Sequence, residues 1–232
     1  MEKYLKNTAL LNNDAPEIVK LIKAQKWNDL DEYHKIGAVY NFVQNKIVLG
    51  YNKYDNLTAT QVLKDGYGQC NTKATLLMAL LRSLDVPCRL HGTKVTKVFQ
   101  RSLMPKIMAK MAPLYIVHTW AEVFYCGEWL SLEGVITDKA YIAGLKKMFP
   151  EYKGKFFDYA VAVNDFTNLQ IDWNGKDTEV QHGAVVEDLG VFDTPDEFYA
   201  NHKQFYRGIK KFMYENIGRK LMTNKVAKIR KN

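Results

Sequence analysis

A helix that is apolar on nearly every side cannot lie on a surface; other elements must wrap it. Residues 70–84 have that character, with Leu76, Leu77, Ala79, Leu80, Leu81 and Leu84 spread round the helical circumference. The rest of the chain must be built about this segment. Asp85-Val86-Pro87 stops it, because proline disfavours helix at the residue before it. Its other end is Asp65-Gly66-Tyr67-Gly68-Gln69-Cys70. The glycines admit positive φ or close backbone approach. The cysteine falls where a helix presents unpaired N–H groups and the positive end of its dipole. Both favour a thiolate, the nucleophilic form of cysteine. Cysteines more often serve as small buried hydrophobes, so the partners of Cys70 must decide its role.

Ahead of the central helix, one helix is expected to open at Pro16, with Asp14 or a neighbour as its cap. A second is expected over about residues 30–48, where Ile36, Val39, Tyr40, Phe42, Val43 and Ile47 form an apolar stripe. Thr58, with Gln61 three residues on, marks a short capped helix that delivers the chain into Gly66. Beyond the central helix, residues 88–95 alternate as a strand does. Residues 114–125 read as a second strand, with Ile116, His118, Trp120 and Glu122 on one face. Cys126-Gly127-Glu128 turns the chain, and residues 129–133 return antiparallel. On that hairpin His118 and Glu133 come side by side on neighbouring strands. Residues 97–113 break the pattern. They are basic, rich in methionine and hold two prolines, and they read either as a lid or as a surface insertion. A helix over residues 139–149, strands and loops over 158–192, and one helix from Thr194 carrying Phe198, Tyr199, Phe205, Ile209, Phe212, Met213 and Ile217 complete the chain.

Three cysteines in 232 residues, without a C-x-x-C pair, indicate neither a disulfide framework nor a zinc site. No D-x-D-x-D-G loop points to calcium, so no metal and no other cofactor is expected. No apolar run approaches the ~20 residues of a membrane span, and residues 1–7 lack the apolar core of a signal peptide. A cytoplasmic protein that keeps off membranes is expected. The net charge of +8 is local, since residues 203–232 hold ten Lys/Arg against one acid, Glu215. That basic tail reads as a solvated helical face, with contact to nucleic acid or another anionic surface as the sharper alternative. The expected organisation is an N-terminal helical extension over 1–34, a core over 35–192, and a C-terminal helix with basic tail over 193–232, in one structural domain.

Nucleophilic acyl chemistry needs a thiol, an imidazole to take its proton and a carboxylate to orient the imidazole. Cys70, His118 and Glu133 supply these in order; His91 would serve as base only under a different strand order. Four blocks stand in sequence: Gly66-Tyr67-Gly68-Gln69-Cys70 with its apolar helix, then Asp85-Val86-Pro87-Cys88-Arg89, then His118-Thr119-Trp120-Ala121-Glu122-Val123, then Glu128-Trp129-Leu130-Ser131-Leu132-Glu133. Over residues 35–140 they resemble the transglutaminase-like superfamily. The resemblance implies an α+β, papain-like fold. In it a central helix with the cysteine at its N-terminus packs on an antiparallel β-sheet that carries the histidine and the acid, flanked by further helices. It implies Cys70 as nucleophile, His118 as base and Glu133 as the orienting acid. The family usually has Asp at that last position, and Asp138 is the alternative acid. The implied reaction is thiol attack on a peptide or carboxamide carbonyl, with N–H groups at the helix start holding the oxyanion. Water, as in a protease or amidase, is expected to resolve the thioester in a small single-domain chain, rather than an amine as in a transglutaminase. The substrate is a peptide, a protein or a small amide. A non-catalytic interaction module that keeps the fold is the alternative from another class.

Overall fold

A computed structural model describes residues 1–203 and 208–232 of the chain. Helix α1 (Pro16–Gln25) begins on its proline, with Ala15 rather than Asp14 at the cap. Helix α2 (Glu32–Lys46) starts where the Asp31 carboxylate accepts the His34 N–H at 3.0 Å. The two-residue strand β1 (Val48–Leu49) follows. Helix α3 (Ala59–Asp65) is capped by Thr58, which accepts the Gln61 N–H, and it ends on Gly66 at φ +70°. Strand β2 (Tyr67–Gly68) pairs in parallel with β1, fixing the approach to Cys70. Gly68 serves close approach, since a Cβ there would lie 2.6 Å from Thr72 Oγ1.

Helix α4 (Cys70–Arg82) is the centre of the molecule, with every residue from Asn71 to Arg82 buried. The expectation from its all-round apolarity holds. Even Lys73 is fully buried; its ammonium donates to the carbonyls of Gln44 (3.2 Å) and Ile136 (3.1 Å). These bonds tie the helix that begins at Cys70 to α2 and to the turn that begins at Glu133.

Strand β3 (Cys88–Thr96) leads through a 3₁₀ turn (Lys97–Gln100) into α5 (Lys106–Met111), and β4 (Tyr115–Tyr125) follows. Cys126 (φ 50°) and Gly127 (φ 88°) make a two-residue hairpin to β5 (Glu128–Ser131). Positive φ at both turn positions matches the twist of the flanking strands. Then come α6 (Lys139–Met148), the small hairpin β6 (Phe156–Asp158) and β7 (Val161–Val163), and β8 (Val185–Phe192). The main sheet has the order β5-β4-β3-β8, antiparallel throughout. The fold is the α+β arrangement of helices about an antiparallel sheet that the sequence blocks imply.

The C-terminal region departs from expectation. The helix capped by Thr194 is α7 (Pro195–Asn201) and stops there. A separate α8 (Gly208–Met213) follows, then a π-helical turn (Tyr214–Gly218) and α9 (Arg219–Arg230). Phe205 lies outside the described residues. Nor is α9 a free basic tail. It buries Met222, Val226 and Ile229, and Arg230 forks onto Asp138 at 2.9 and 2.8 Å. Gly144 of α6 lets α9 approach so closely that a Cβ there would sit 1.9 Å from the Ile229 carbonyl oxygen. Gly144→Ala should therefore lower stability by about 1–3 kcal/mol. A urea midpoint equal to that of the parent would show that α9 yields freely. No described helix is long and apolar enough to cross a membrane.

Candidate active site

The first turn of α4 is lashed to its surroundings by side chains. Thr72 Oγ1 accepts the Gln69 N–H at 3.1 Å and donates to Asn52 Oδ1 at 2.7 Å. Gln69 in turn accepts the Asn52 N–H at 2.7 Å and donates to Asp55 at 2.9 Å. Asn71 reaches across to β4: its Nδ2 donates to the Val117 carbonyl, and its Oδ1 accepts from Thr119 Oγ1 at 3.0 Å. Those two contacts flank His118. They hold the half-buried Cys70, whose thiol donates to Asn71 Oδ1 at 3.5 Å, against the strand that carries the histidine.

His118 is fully buried on β4, and its Nε2 donates to Glu133 Oε1 at 3.0 Å. Glu133 does not reach it from the returning strand, as the sequence suggests. Strand β5 ends at Ser131, opposite Glu122, and a straight continuation would set residue 135 across from His118. Instead the chain leaves extended geometry at Leu132 (φ −110°, ψ 34°), and Glu133 opens a 3₁₀ turn (Glu133–Ile136). Gly134 permits that turn; a Cβ there would lie 2.6 Å from the Tyr40 hydroxyl and 2.9 Å from the Ile171 backbone. The other carboxylate oxygen of Glu133 accepts three backbone N–H groups, from Val180 (3.0 Å), Gln181 (3.1 Å) and His182 (3.0 Å). Burial pushes the Glu133 carboxyl up, but the His118 bond and charge and the N–H groups of Val180 and Gln181 outweigh it and hold the acid below its ordinary range. Asp138 is engaged elsewhere. It caps α6 through the Tyr141 N–H, accepts the Leu49 N–H at 3.0 Å and pairs with Arg230.

With Nε2 held by Glu133, Nδ1 is the nitrogen of His118 left for the sulfur. It is buried and makes no hydrogen bond of ordinary geometry. Burial opposes protonation of the ring. The neighbouring charge of Cys70, interaction with its sulfur, and the Glu133 bond and charge override this and raise the imidazole to about 10. His118 is thus an imidazolium at neutral pH, and a cation beside a sulfur favours the thiolate. Trp120 packs against it, 5.5 Å between ring centres, and His91 stacks on the far side of Trp120 at 4.4 Å. Both ring nitrogens of His91 face carboxylates, Glu122 at 2.7 Å and Asp188 at 2.8 Å, so His91 has its own partners away from Cys70. Of the other cysteines, Cys88 is buried, which pushes its thiol up to about 11, and Cys126 is exposed in the hairpin turn.

A cavity of about 280 Å³ opens beside Cys70 and His118. Residues 97–113 form much of one wall, through Phe99, Gln100, Met104, Met108, Met111 and Ala112. The segment that breaks the sequence pattern therefore faces the cysteine. Among the described residues no three His, Cys, Asp or Glu side chains gather as a metal site requires.

The sequence model of the Transglutaminase-like superfamily matches residues 20–134. Through that segment the chain belongs to the transglutaminase-like superfamily. The match runs from within α1 to the turn after β5, so Cys70, His118 and Glu133 of this transglutaminase-like chain all lie inside it. Among solved structures, a Cytophaga hutchinsonii protein assigned provisionally as a cysteine protease is similar at 15% identity with a TM-score of 0.47. The alignment covers 84% of this chain and 47% of that one, so the chain spans about half its length. No curated protein matches the sequence.

Sequence reasoning misses several residues that surround the cysteine. Gln181 lies in a loop between β7 and β8 without any pattern, and Tyr199 counts in sequence only as an apolar member of a helix. Both line the cavity. Asp55 lines it too. Burial lifts the Asp55 carboxyl, and its bonds to Gln69 and Asn71 offset that lift only in part.

Proposed function

We propose that the chain is a cysteine-dependent acyl-transfer enzyme of the hydrolytic kind, acting on a peptide or carboxamide carbonyl. The observation that carries this reading is the state of His118. One ring nitrogen is fixed by a buried carboxylate, while the other is buried, unbonded and next to Cys70. In the proposed reaction Cys70 Sγ bonds to the carbonyl carbon, and the oxygen takes the negative charge beside the N–H groups at the start of α4. His118 gives its Nδ1 proton to the nitrogen, the carbon–nitrogen bond breaks, and the amine leaves. Water then attacks the thioester carbonyl, His118 takes a proton from it, and the sulfur departs. Cys70 is partly exposed, so water has access to the thioester. Glu133 keeps the imidazole oriented throughout and stabilises it whenever it is charged.

The acceptor is tested with a mixture of tryptic peptides in H₂¹⁸O, with and without a primary amine tracer. Hydrolysis predicts new carboxyl groups carrying ¹⁸O that vanish in Cys70→Ala. Cys70-dependent incorporation of the amine, without ¹⁸O, would make transfer the reaction. Neither product would point to the interaction module.

A further inference from the structure

The cavity beside Cys70 has more specific walls than acyl transfer alone requires. Its lining is rich in sulfur, with Met104, Met108, Met111 and Met222 beside the apolar Phe99 and Ile116. Methionine is flexible and polarizable, and adapts its surface to an apolar partner. A volume of about 280 Å³ lies at the small end for ligand pockets, which suits one side chain with its adjoining backbone. Lys53, Lys203, Lys210 and Lys211 stand against only two acids, Asp55 and Glu215, on the same walls, so a cationic side chain is disfavoured there.

Gln181 and Tyr199 both line the cavity, and each carries a buried polar atom without a hydrogen bond of ordinary geometry, Gln181 Oε1 and the Tyr199 hydroxyl, on residues 3% and 4% exposed. The other end of the Gln181 amide is fixed. Its Nε2 donates to the Ala160 carbonyl at 2.8 Å, which leaves Oε1 as a free acceptor. Tyr199 lines the same cavity as Cys70 and His118, and burial raises its hydroxyl well above the usual range. Its polar neighbour, Thr119, gives its own hydroxyl proton to Asn71. A buried polar group without a partner calls for an explanation, and a group awaiting a ligand is one. The helix bearing Tyr199 is set close over β3 at Gly92, where a Cβ would meet Phe198 at 2.3 Å.

We propose that this cavity is the acyl-side specificity pocket, built for a peptide whose reacting carbonyl belongs to a large apolar residue such as leucine or methionine. The apolar side chain lies among the methionines. Gln181 Oε1 accepts a substrate backbone N–H, and the Tyr199 hydroxyl donates to a substrate backbone carbonyl. The proposal rests on Cys70 being the nucleophile, and its test separates the two ideas.

The probes are the chloromethyl ketones of N-acetyl-leucine and N-acetyl-lysine, which Cys70 Sγ attacks with loss of chloride to leave a thioether. Iodoacetamide, which needs no pocket, is the reference. The readout is the ratio of each ketone's rate at Cys70 to the iodoacetamide rate, followed by intact mass and peptide mapping. The leucine probe should exceed the lysine probe by about tenfold or more. Tyr199→Phe removes an oxygen that makes no protein hydrogen bond of ordinary geometry and keeps the ring, so the fold keeps its packing; the leucine ratio should fall about tenfold. Met111→Glu, at a half-buried position, should cut the leucine ratio similarly and raise the lysine ratio. Equal leucine and lysine ratios in the parent, with fast iodoacetamide labelling, would overturn the pocket and leave the nucleophile standing. An unchanged ratio in Tyr199→Phe would overturn the hydroxyl's part. Iodoacetamide labelling no faster than that of a free cysteine would overturn both ideas.

Discussion

In His118→Ala, alkylation of Cys70 by iodoacetamide at pH 6–7 should slow by about a hundredfold. The parent holds an imidazolium against the sulfur, because His118 keeps its proton up to about pH 10. Without that cation a thiol near the ordinary value of about 8.5 is only about 1% thiolate at pH 6.5. The pH profiles should differ in shape as well. His118 is raised, so its charge is present below about 10 and lost above it. The parent's advantage over the variant should be greatest near neutral pH and should shrink as His118 loses its charge above about 10. The same proton is the one proposed for the leaving amine, so turnover should decline once pH rises through the His118 value. Cys88 will not confuse the measurement, since it is buried with its thiol pushed up to about 11, and the exposed Cys126 is resolved by peptide mapping. Superimposable profiles for parent and variant would remove His118 from the mechanism.

What was legible in the sequence is what local pattern determines. The apolar girdle of residues 70–84, the stop at Pro87 and the positive-φ turn at Cys126-Gly127 each act through near neighbours, and the helix and hairpin follow from them. The pairing of His118 with Glu133 was legible as proximity but not as geometry. The turn that swings Glu133 inward depends on Gly134 meeting Tyr40 and Ile171, and its second oxygen is held by a loop at 180–182. No local pattern encodes contacts across such distances in the chain. The basic C-terminus misleads for a different reason. Met222, Val226 and Ile229 stand at helical spacing in the sequence, but the surrounding lysines and arginines obscure the stripe, and only its packing on α6 reveals it. The cavity walls were the least legible part, because they gather side chains from the irregular 97–113 segment, the 181 loop and the C-terminal helices.

Glu133→Gln should destabilise the chain by about 3–5 kcal/mol, because it removes one partner of a buried ion pair and leaves the other in place. Both side chains are 1% exposed, so water cannot replace the lost carboxylate. The glutamine oxygen can still accept from the 180–182 loop, but its amide nitrogen then faces a ring nitrogen that also donates. For a chain of this size that is a drop of roughly 6–20 °C in Tm. Glu133→Asp keeps the charge but is one methylene shorter. It cannot reach His118 and three N–H groups together, and should fall between parent and Gln. The pH dependence carries the sign of both shifts. The Glu133 value is lowered, so its contribution is present above about 4.5 and lost as pH falls through the folded-state value. The His118 value is raised, so its contribution is full below about 6.5 and lost as pH rises through about 10. The Tm gap between parent and Glu133→Gln should therefore be widest between pH 4.5 and 6.5 and narrow on either side. A gap that is the same at pH 5 and pH 9.5 would mean that Glu133 supports the turn through its three backbone bonds and not through His118. In that case its loss would leave the alkylation profile of Cys70 unchanged, whereas a working ion pair ties the stability gap and the profile to the titration of His118.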